Sequence, residues 1–311
     1  MSKLIFNGRE VEFFSKSNRI KQKDKKASKF NRVNKLAEVW TKIEPEIVED
    51  IKTGSKEAYA IYLLCKTGIR VGNEGSAEGY TAVVKGHEGE FVQTFGASTL
   101  KKEHILFYDN HIILDFVGKK VVSQFITSDD KILIEYGHKF YEESSTDLWL
   151  NITDKSIKKY LKKNIGKIFT TKDFRTLAAN YTAFCIYEDF IKDKELPLKK
   201  VDLSKEIKLI VTKTSEFLGN TPGICKSAYL SNHLLDYITE QRNKLVLIDI
   251  QNREQKKIDK EENRKKINED RIAQGLKPIR RKRRDLKTKR MNQARKQLVR
   301  TLRKMLKNKK V

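Results

Sequence analysis

Residues 104–126 read HILFYDNHIILDFVGKKVVSQFI, and their pattern sets the fold class. Apolar and polar residues alternate here in three short runs, which is the periodicity of half-buried β-strands. The pairs Asp109-Asn110 and Gly118-Lys119 separate the runs and are typical of tight turns. The stretch therefore predicts a three-stranded antiparallel meander.

Helical periodicity governs the segments on both sides of this meander. Apolar residues recur at helical spacing from Leu36 to Ile51, and Pro45 is expected to divide that run into two helices. Ser55 is the predicted N-cap of the next helix, and Gly68 is its predicted C-terminal glycine. More helical stripes follow the meander. The sequence thus predicts an α+β fold, mostly helical with one small antiparallel sheet.

Charge divides the chain unevenly. The formal net charge is +25, from 66 Lys and Arg residues against 41 Asp and Glu residues, and residues 241–311 hold 27 of the basic and 8 of the acidic ones. We predict an N-terminal arm or strand pair over 1–35, a catalytic domain over 36–240 and a basic helical tail over 241–311, broken near Gly275. Such a basic chain usually binds a polyanion, most often nucleic acid. Whether the tail is a defined docking helix or a partly disordered polyanion binder stays open.

Several functional classes find no support in the sequence. The three cysteines are far apart, the five histidines lack metal-ligand spacing, and no Gly-rich nucleotide motif occurs. There is no apolar run of about 18 residues and no signal-peptide pattern. We therefore expect no cofactor, no metal and no membrane span. We expect an intracellular protein, with nucleus, virion or viral factory, and bacterial cytoplasm all left open.

Five segments occur in a fixed order, and together they are far more specific than any one of them. They are KTGIRVGNE around Arg70, FGASTLKKEHI, FVGKKVVSQF around Lys119, TTKDFRTLAANYT around Arg175, and EFLGNTPGICKSAYL, which contains Tyr229. In this order they resemble the type IB DNA topoisomerases, especially the compact viral and bacterial branch. The resemblance covers roughly residues 36–240.

The resemblance implies a role for each of five residues. Tyr229 matches the nucleophile that forms a 3′-phosphotyrosyl bond, and Arg70 and Arg175 match the pair that clamps the scissile phosphate. Lys119 matches the hairpin lysine that protonates the leaving 5′-oxygen, although a one-residue shift of alignment would exchange it for its neighbour Lys120. Asn220 stands where many relatives carry histidine, so we expect it to hydrogen-bond a phosphate oxygen.

These residue types suit the chemistry that the resemblance implies. Guanidinium groups bind two phosphate oxygens at once and stay charged, and an amide can donate although it cannot titrate. A phenol has a pKa near 10, so nearby cations would have to favour its phenolate. Each residue also has a plain structural alternative: a packed tyrosine, a surface ion pair, a solvated turn lysine, or a helix-capping asparagine.

The resemblance further implies relaxation of supercoiled duplex DNA, without ATP or a required metal, by a protein that we expect to be a monomer. Two departures concern DNA clamping. Relatives carry a sizeable β-rich domain before the catalytic domain, whereas only about 35 residues precede it here, and the loop between Gly72 and Gly96 is longer. A tyrosine recombinase or integrase and a non-catalytic DNA-binding protein remain as alternatives. The recombinases usually show His-x-x-Arg, where this chain has KDFR, ending at Arg175.

Overall fold

The computed structural model describes residues 4–6, 9–11, 25–189 and 203–279. The described α-helices are Lys25–Lys52 (α1), Lys56–Thr67 (α2), Glu74–Glu78 (α3), Lys131–Glu143 (α4), Asp154–Tyr160 (α5), Thr171–Tyr187 (α6), Leu203–Phe217 (α7), Pro222–Ala228 (α8) and Asn232–Ala273 (α9). The strands are Leu4–Phe6 (β1), Arg9–Val11 (β2), Tyr80–Thr81 (β3), Phe91–Val92 (β4), Ile105–Phe107 (β5), Ile112–Gly118 (β6) and Val122–Ser128 (β7).

The predicted three-stranded meander is confirmed. β5, β6 and β7 pair antiparallel in chain order, and the last pair, Gly118 opposite Val122, leaves Lys119 at the tip of the hairpin. Phe116 is buried on the inner face of the sheet. Phe125 of β7 falls on the outer face and is 69% exposed, and Tyr108, which directly follows β5, is 50% exposed.

Helix α1 corrects the expectation that Pro45 divides the first helical run. The helix continues through Pro45 to Lys52. A proline removes one backbone hydrogen bond and crowds the preceding turn. Here Leu36 and Trp40 before it, and Ile51 after it, are all fully buried on the same side, so packing holds both halves in one helix.

Helix α2 lies at the centre of the core. Its residues from Ala58 to Cys65 are all buried, and it packs against α1, α4, α5 and α6. Tyr59 contacts Phe140 and Trp149 edge to face, with ring centroids 5.4 Å apart in both pairs. Ser55 caps the helix by accepting from the Ala58 amide, as predicted. The loop that carries Arg70 starts at the C-terminal end of α2, so this buried helix fixes where that loop begins.

Helices α4 and α8 were not predicted. Asp130 caps α4 by accepting from the Ile132 and Leu133 amides, and Thr221 caps α8 by accepting from the Ile224 amide. Few residues are buried in either helix: Leu133, Gly137 and Phe140 in α4, and Cys225 in α8. The predicted strand pair at the N-terminus is present as β1 and β2, while α1 already begins at Lys25.

The described residues fall into two compact units. Those of 1–191 and 205–235 form the first, and those of 192–204 and 236–311 form the second. Helix α9 continues without interruption across residue 240 and ends near Gly275, whose φ is +71°, as the sequence predicted. One stripe of α9 is buried, at Ile238, Arg242, Val246 and Ile250. The basic cluster Arg280 to Arg284 lies outside the described residues.

Candidate active site

Arg70 lies in the loop that follows α2. Gly68 ends the helix with φ +64°, a left-handed conformation that favours glycine. A Cβ at this position would also lie 2.9 Å from the Phe217 ring. The chain therefore leaves α2 sharply and carries Arg70 away from the core. The Arg70 side chain is half-buried, and its Nη2 donates to Oδ1 of Asn220 at 3.3 Å.

Arg175 lies near the start of α6 and is only 4% exposed. Its Nη1 donates to the Gly68 carbonyl and its Nη2 donates to the Leu218 carbonyl, so the guanidinium ties the ends of α2 and α7 together. Its Nε is buried and has no hydrogen-bond partner among the described residues. Burial, together with the nearby charge of Arg70, lowers the pKa of Arg175 to about 10.

Asn220 follows Gly219 in the turn between α7 and α8. Its Oδ1 accepts from Arg70, whereas its Nδ2 is buried without a hydrogen-bond partner in the described part of the chain. Since Thr221 caps α8, helix capping does not explain Asn220. A buried donor left unpaired costs about 1–3 kcal/mol. Two such donors, the other being Nε of Arg175, point to an acceptor-rich ligand at this place.

Tyr229 directly follows α8, and only 3% of it is exposed. Asn180 on α6 holds the backbone on both sides of the next residue. Its Nδ2 donates to the Tyr229 carbonyl at 2.8 Å, and its Oδ1 accepts from the Ser231 amide at 2.9 Å. Asn180 itself is fully buried. The position of the phenol is therefore set by α6, the same helix that carries Arg175.

Three cations surround the ring of Tyr229. The distances to the ring centroid are 5.4 Å from Cζ of Arg175, 5.8 Å from Nζ of Lys172 and 5.0 Å from Nζ of Lys29. Lys29 also donates to the Ala228 carbonyl. Burial raises the pKa of the Tyr229 phenol, but the charges of Arg70, Arg175 and Lys172 outweigh it, so the pKa lies below its usual value. The site thus favours phenolate.

Lys119 extends from the tip of the β6–β7 hairpin and is exposed. It lines a cavity of about 460 Å³ together with Arg70, Lys172 and Arg175, and both polar and apolar side chains, such as Asn73 and Phe95, line the rest of that cavity. Lys120 is not among the lining residues. This geometry favours Lys119 over its neighbour. All five site residues predicted from the sequence therefore lie around one region of the first compact unit.

Four further residues belong to this site that the sequence analysis did not select. Lys172 and Asn180 lie on α6, where Lys172 is exposed and Asn180 is buried. Lys29 comes from α1, and Gln124, which lines a small cavity with Arg70 and Arg175, comes from β7. Only the proximity of Lys172 to Arg175 in KDFR gave any signal in the sequence. One more pair fixes the start of α6: the Asp173 carboxylate, buried beside Lys172, accepts from Nε and Nη2 of Arg32, each at 3.2 Å.

Comparison with known proteins identifies the family of this chain. A family model described as eukaryotic DNA topoisomerase I, catalytic core, matches residues 16–255. The match covers most of the chain, including every site residue named above. The chain therefore belongs to this family, the type IB DNA topoisomerases, which are enzymes that act on DNA.

The relatives found by sequence are compact viral members of the family. DNA topoisomerase 1B of Acanthamoeba polyphaga mimivirus is 27% identical over 158 residues, which is 46% of this chain and 46% of the relative. DNA topoisomerase I of Monkeypox virus is 27% identical over 253 residues, 78% of this chain and 74% of the relative. The Vaccinia virus (strain Copenhagen) DNA topoisomerase 1B gives the same figures. The chain thus spans about half of the mimivirus relative and three quarters of the poxvirus ones.

Neither a metal-binding cluster nor a membrane-spanning helix occurs among the described residues. No group of three or more His, Cys, Asp or Glu side chains there could hold a metal ion. No described helix is long and apolar enough to cross a membrane.

Proposed function

We propose that this protein relaxes supercoiled duplex DNA by breaking and resealing one strand through a 3′-phosphotyrosyl bond at Tyr229. The observation that carries the proposal is a phenol surrounded by cations beside two buried donors, Nε of Arg175 and Nδ2 of Asn220, that lack acceptors among the described residues. A phosphate offers several acceptor oxygens and a negative charge, so it satisfies both requirements at once.

The cleavage step assigns one task to each side chain. The Tyr229 oxygen attacks the phosphorus, a new P–O bond to tyrosine forms, and the bond from phosphorus to the 5′-oxygen breaks. Arg70, Arg175 and Asn220 bind the non-bridging oxygens and stabilise the charge that develops in the transition state. Lys119 gives its proton to the departing 5′-oxygen, a role that typically contributes about 10²–10⁴-fold. The phenol proton is lost to solvent, since we assign no side-chain base.

Relaxation follows from the nick. The strand with the free 5′-hydroxyl rotates about the intact strand, which removes supercoils of either sign. The 5′-hydroxyl then attacks the phosphotyrosine, Lys119 takes the proton back, and the duplex is restored. The energy of the broken bond is kept in the tyrosine link, so the cycle requires no ATP. The cationic side chains supply the electrostatic stabilisation, so the proposed chemistry requires no metal.

The partner in this proposal is duplex DNA, bound mainly through its phosphates. One copy of the chain supplies all five proposed site residues, and this supports a monomer as the active form. A tyrosine recombinase would use the same chemistry, but KDFR at Arg175 and the family match both favour a topoisomerase. Resolution of Holliday junctions without plasmid relaxation would favour the recombinase instead.

The deciding experiment is relaxation of negatively and positively supercoiled plasmid in EDTA without ATP. We expect the wild-type protein to relax both, and we expect denaturation during the reaction to trap protein joined to a 3′ DNA end. The control is Tyr229→Phe, which should bind DNA normally and form no adduct. Inactivity of folded wild-type protein would overturn the proposal, and an adduct in the Tyr229→Phe variant would show that another residue is the nucleophile.

A further inference from the structure

Gln124 lies on the inner face of β7, opposite Phe116 of β6. Side chains along the strand point alternately to its two faces. Phe125 therefore points outward and is 69% exposed, whereas Gln124 is half-buried and faces the site. It lines a small cavity together with Arg70, Lys119 and Arg175. Gln124 is therefore in the same chamber as the proposed catalytic groups, although no step above uses it.

Two glycines make room for the Gln124 side chain. A Cβ at Gly118 would lie 2.8 Å from Cγ of Gln124, and a Cβ at Gly219 would overlap its carboxamide. Gly219 also has φ +56°, so a side chain there would be strained as well. Gly118 directly precedes Lys119, and Gly219 directly precedes Asn220. The Gln124 side chain therefore fills a slot between the hairpin tip and the turn that carries the amide.

The contacts of Gln124 with this slot are packing contacts. Among the described residues, its Nε2 donates only to carbonyls of its own strand, those of Ser123 at 3.2 Å and Val122 at 3.4 Å, which are long for hydrogen bonds. The side chain packs on both Gly118 and Gly219, so it links the hairpin tip to the Gly219–Asn220 turn. The distance between Lys119 and the phosphate held by Asn220 thus depends on the Gln124 side chain.

We propose that Gln124 is a positioning residue that holds the Lys119 hairpin in reach of the leaving 5′-oxygen. The inference rests on the proposed function and deepens it, because it separates the alignment of the general acid from the binding of the phosphate. A displacement of about 1 Å in a catalytic group can cost roughly 100-fold in rate. Loss of the Gln124 side chain should therefore slow proton donation while leaving DNA affinity almost unchanged.

The test compares two leaving groups in single-turnover cleavage of a short duplex. One substrate has the ordinary 5′-oxygen, and the other has sulfur at that bridging position. A thiolate leaves without a proton because a thiol pKa is near 8.5, far below that of an alcohol. We expect Gln124→Ala to cleave the oxygen substrate roughly 10-fold to 100-fold more slowly than wild type. It should cleave the sulfur substrate within about threefold, as Lys119→Ala should.

Three further variants test whether the effect comes from packing of the Gln124 side chain. Thr127→Ala changes the same strand on its outer face and should cleave both substrates like wild type. Gln124→Met keeps the length of the side chain and fills the slot, so it should recover most of the rate on the oxygen substrate. Gly219→Ala should be slow because its methyl group displaces Gln124, and adding Gln124→Ala to it should cause less than the product of the two single effects.

The outcomes separate this inference from the proposed function. Equal slowing of both substrates by Gln124→Ala, or no slowing of either, would overturn the positioning role while wild-type cleavage still supports the topoisomerase. A Gln124→Met variant as slow as Gln124→Ala would contradict the packing argument. If wild-type protein forms no adduct with either substrate, it is the proposed function that fails. Melting temperature and DNA affinity close to wild type would show that the variants are folded.

Discussion

The guanidinium carbon of Arg175 lies 5.4 Å from the ring centroid of Tyr229, so the proposed phosphate ligand and the proposed nucleophile meet through the ring face. Arg175 therefore has two proposed roles, in phosphate binding and in activation of the phenol. The same charge that would bind a phosphate oxygen also lowers the pKa of the phenol. Because both side chains are almost fully buried, water screens the interaction little. Substitutions around the ring should therefore alter the pH dependence of cleavage.

Lys172→Met provides the first prediction. The lysine favours phenolate at Tyr229, so its removal raises the pKa of the phenol toward its usual value. Cleavage that depends on phenolate increases with pH until the phenol is ionised. The rising limb of the variant should thus move to higher pH, and at neutral pH its rate should fall roughly twofold to threefold, because Lys172 is exposed and solvent screens its charge. Single-turnover cleavage measured across pH checks this.

The control for that experiment is Lys155→Met, an exposed lysine on α5. It should keep the wild-type profile. A Lys172→Met variant that is slower by one constant factor at every pH would contradict an electrostatic effect on the phenol and would favour a role in DNA binding.

The second prediction concerns Asn180. Its amide makes three hydrogen bonds, to Thr176, Tyr229 and Ser231, at 2.7, 2.8 and 2.9 Å. Asn180→Ala should leave a buried carbonyl and a buried amide unpaired and cost about 2–3 kcal/mol of unfolding free energy. Asn180→Asp should cost more, because a carboxylate would face the Tyr229 carbonyl. Urea denaturation measures both effects.

The same variants should separate positioning from DNA binding. Since Asn180 holds only the backbone beside Tyr229, cleavage should fall at least tenfold while DNA affinity stays within about twofold. Asn110→Ala, on an exposed turn, is the matched control. Equal losses of affinity and cleavage in Asn180→Ala would indicate general unfolding of the site instead.

Local signals predicted much of this fold. Ser55 and Gly68 bound α2 as expected because capping and left-handed termination depend on a few neighbouring residues. The β6–β7 register likewise follows from alternation and a short turn. The prediction that Pro45 divides α1 was wrong. The burial of Trp40 and Ile51 keeps the helix continuous, and that burial depends on distant segments. Similarly, nothing local marks Phe125 as an outward residue of its sheet.

The sequence predicted a site residue only where a local motif marked that residue as a reacting or charge-binding group. Arg70, Arg175 and Tyr229 were predicted because each lies in one of the motifs that resemble the family. Asn180 and Gln124 act through contacts with segments 49 and 95 residues away, since Asn180 bonds the Tyr229 carbonyl and Gln124 packs on Gly219. An amide on a helix or strand is an ordinary residue until the fold shows what it faces.

The third prediction concerns the conformation of the hairpin tip. Val121 has φ +59°, which is strained for a β-branched residue, and Lys120 before it has φ +67°. Val121→Gly should remove that strain, and after the larger chain entropy of glycine in the unfolded state the net gain should be about 1 kcal/mol. Urea denaturation measures the gain. Val121→Ala keeps a Cβ and should gain clearly less, and a destabilised Val121→Gly would contradict the strain.

The last prediction concerns the C-terminal charge. Residues 280–311 contain 16 Lys and Arg residues and one acidic residue, whereas residues 241–279 contain 11 basic and 7 acidic ones. Buried Val246 and Ile250 make a cut near residue 245 damaging, so the informative truncation removes 280–311 only. We expect the melting temperature to be kept and the slope of log affinity against log salt to flatten by about 0.9 for each lost phosphate contact. DNA cleavage at saturating protein should stay within about twofold, because all the proposed site residues precede residue 230.

An unchanged slope would show that these cations do not contact DNA. The matched control replaces 280–311 with an uncharged linker of equal length, which separates the effect of charge from the effect of chain length.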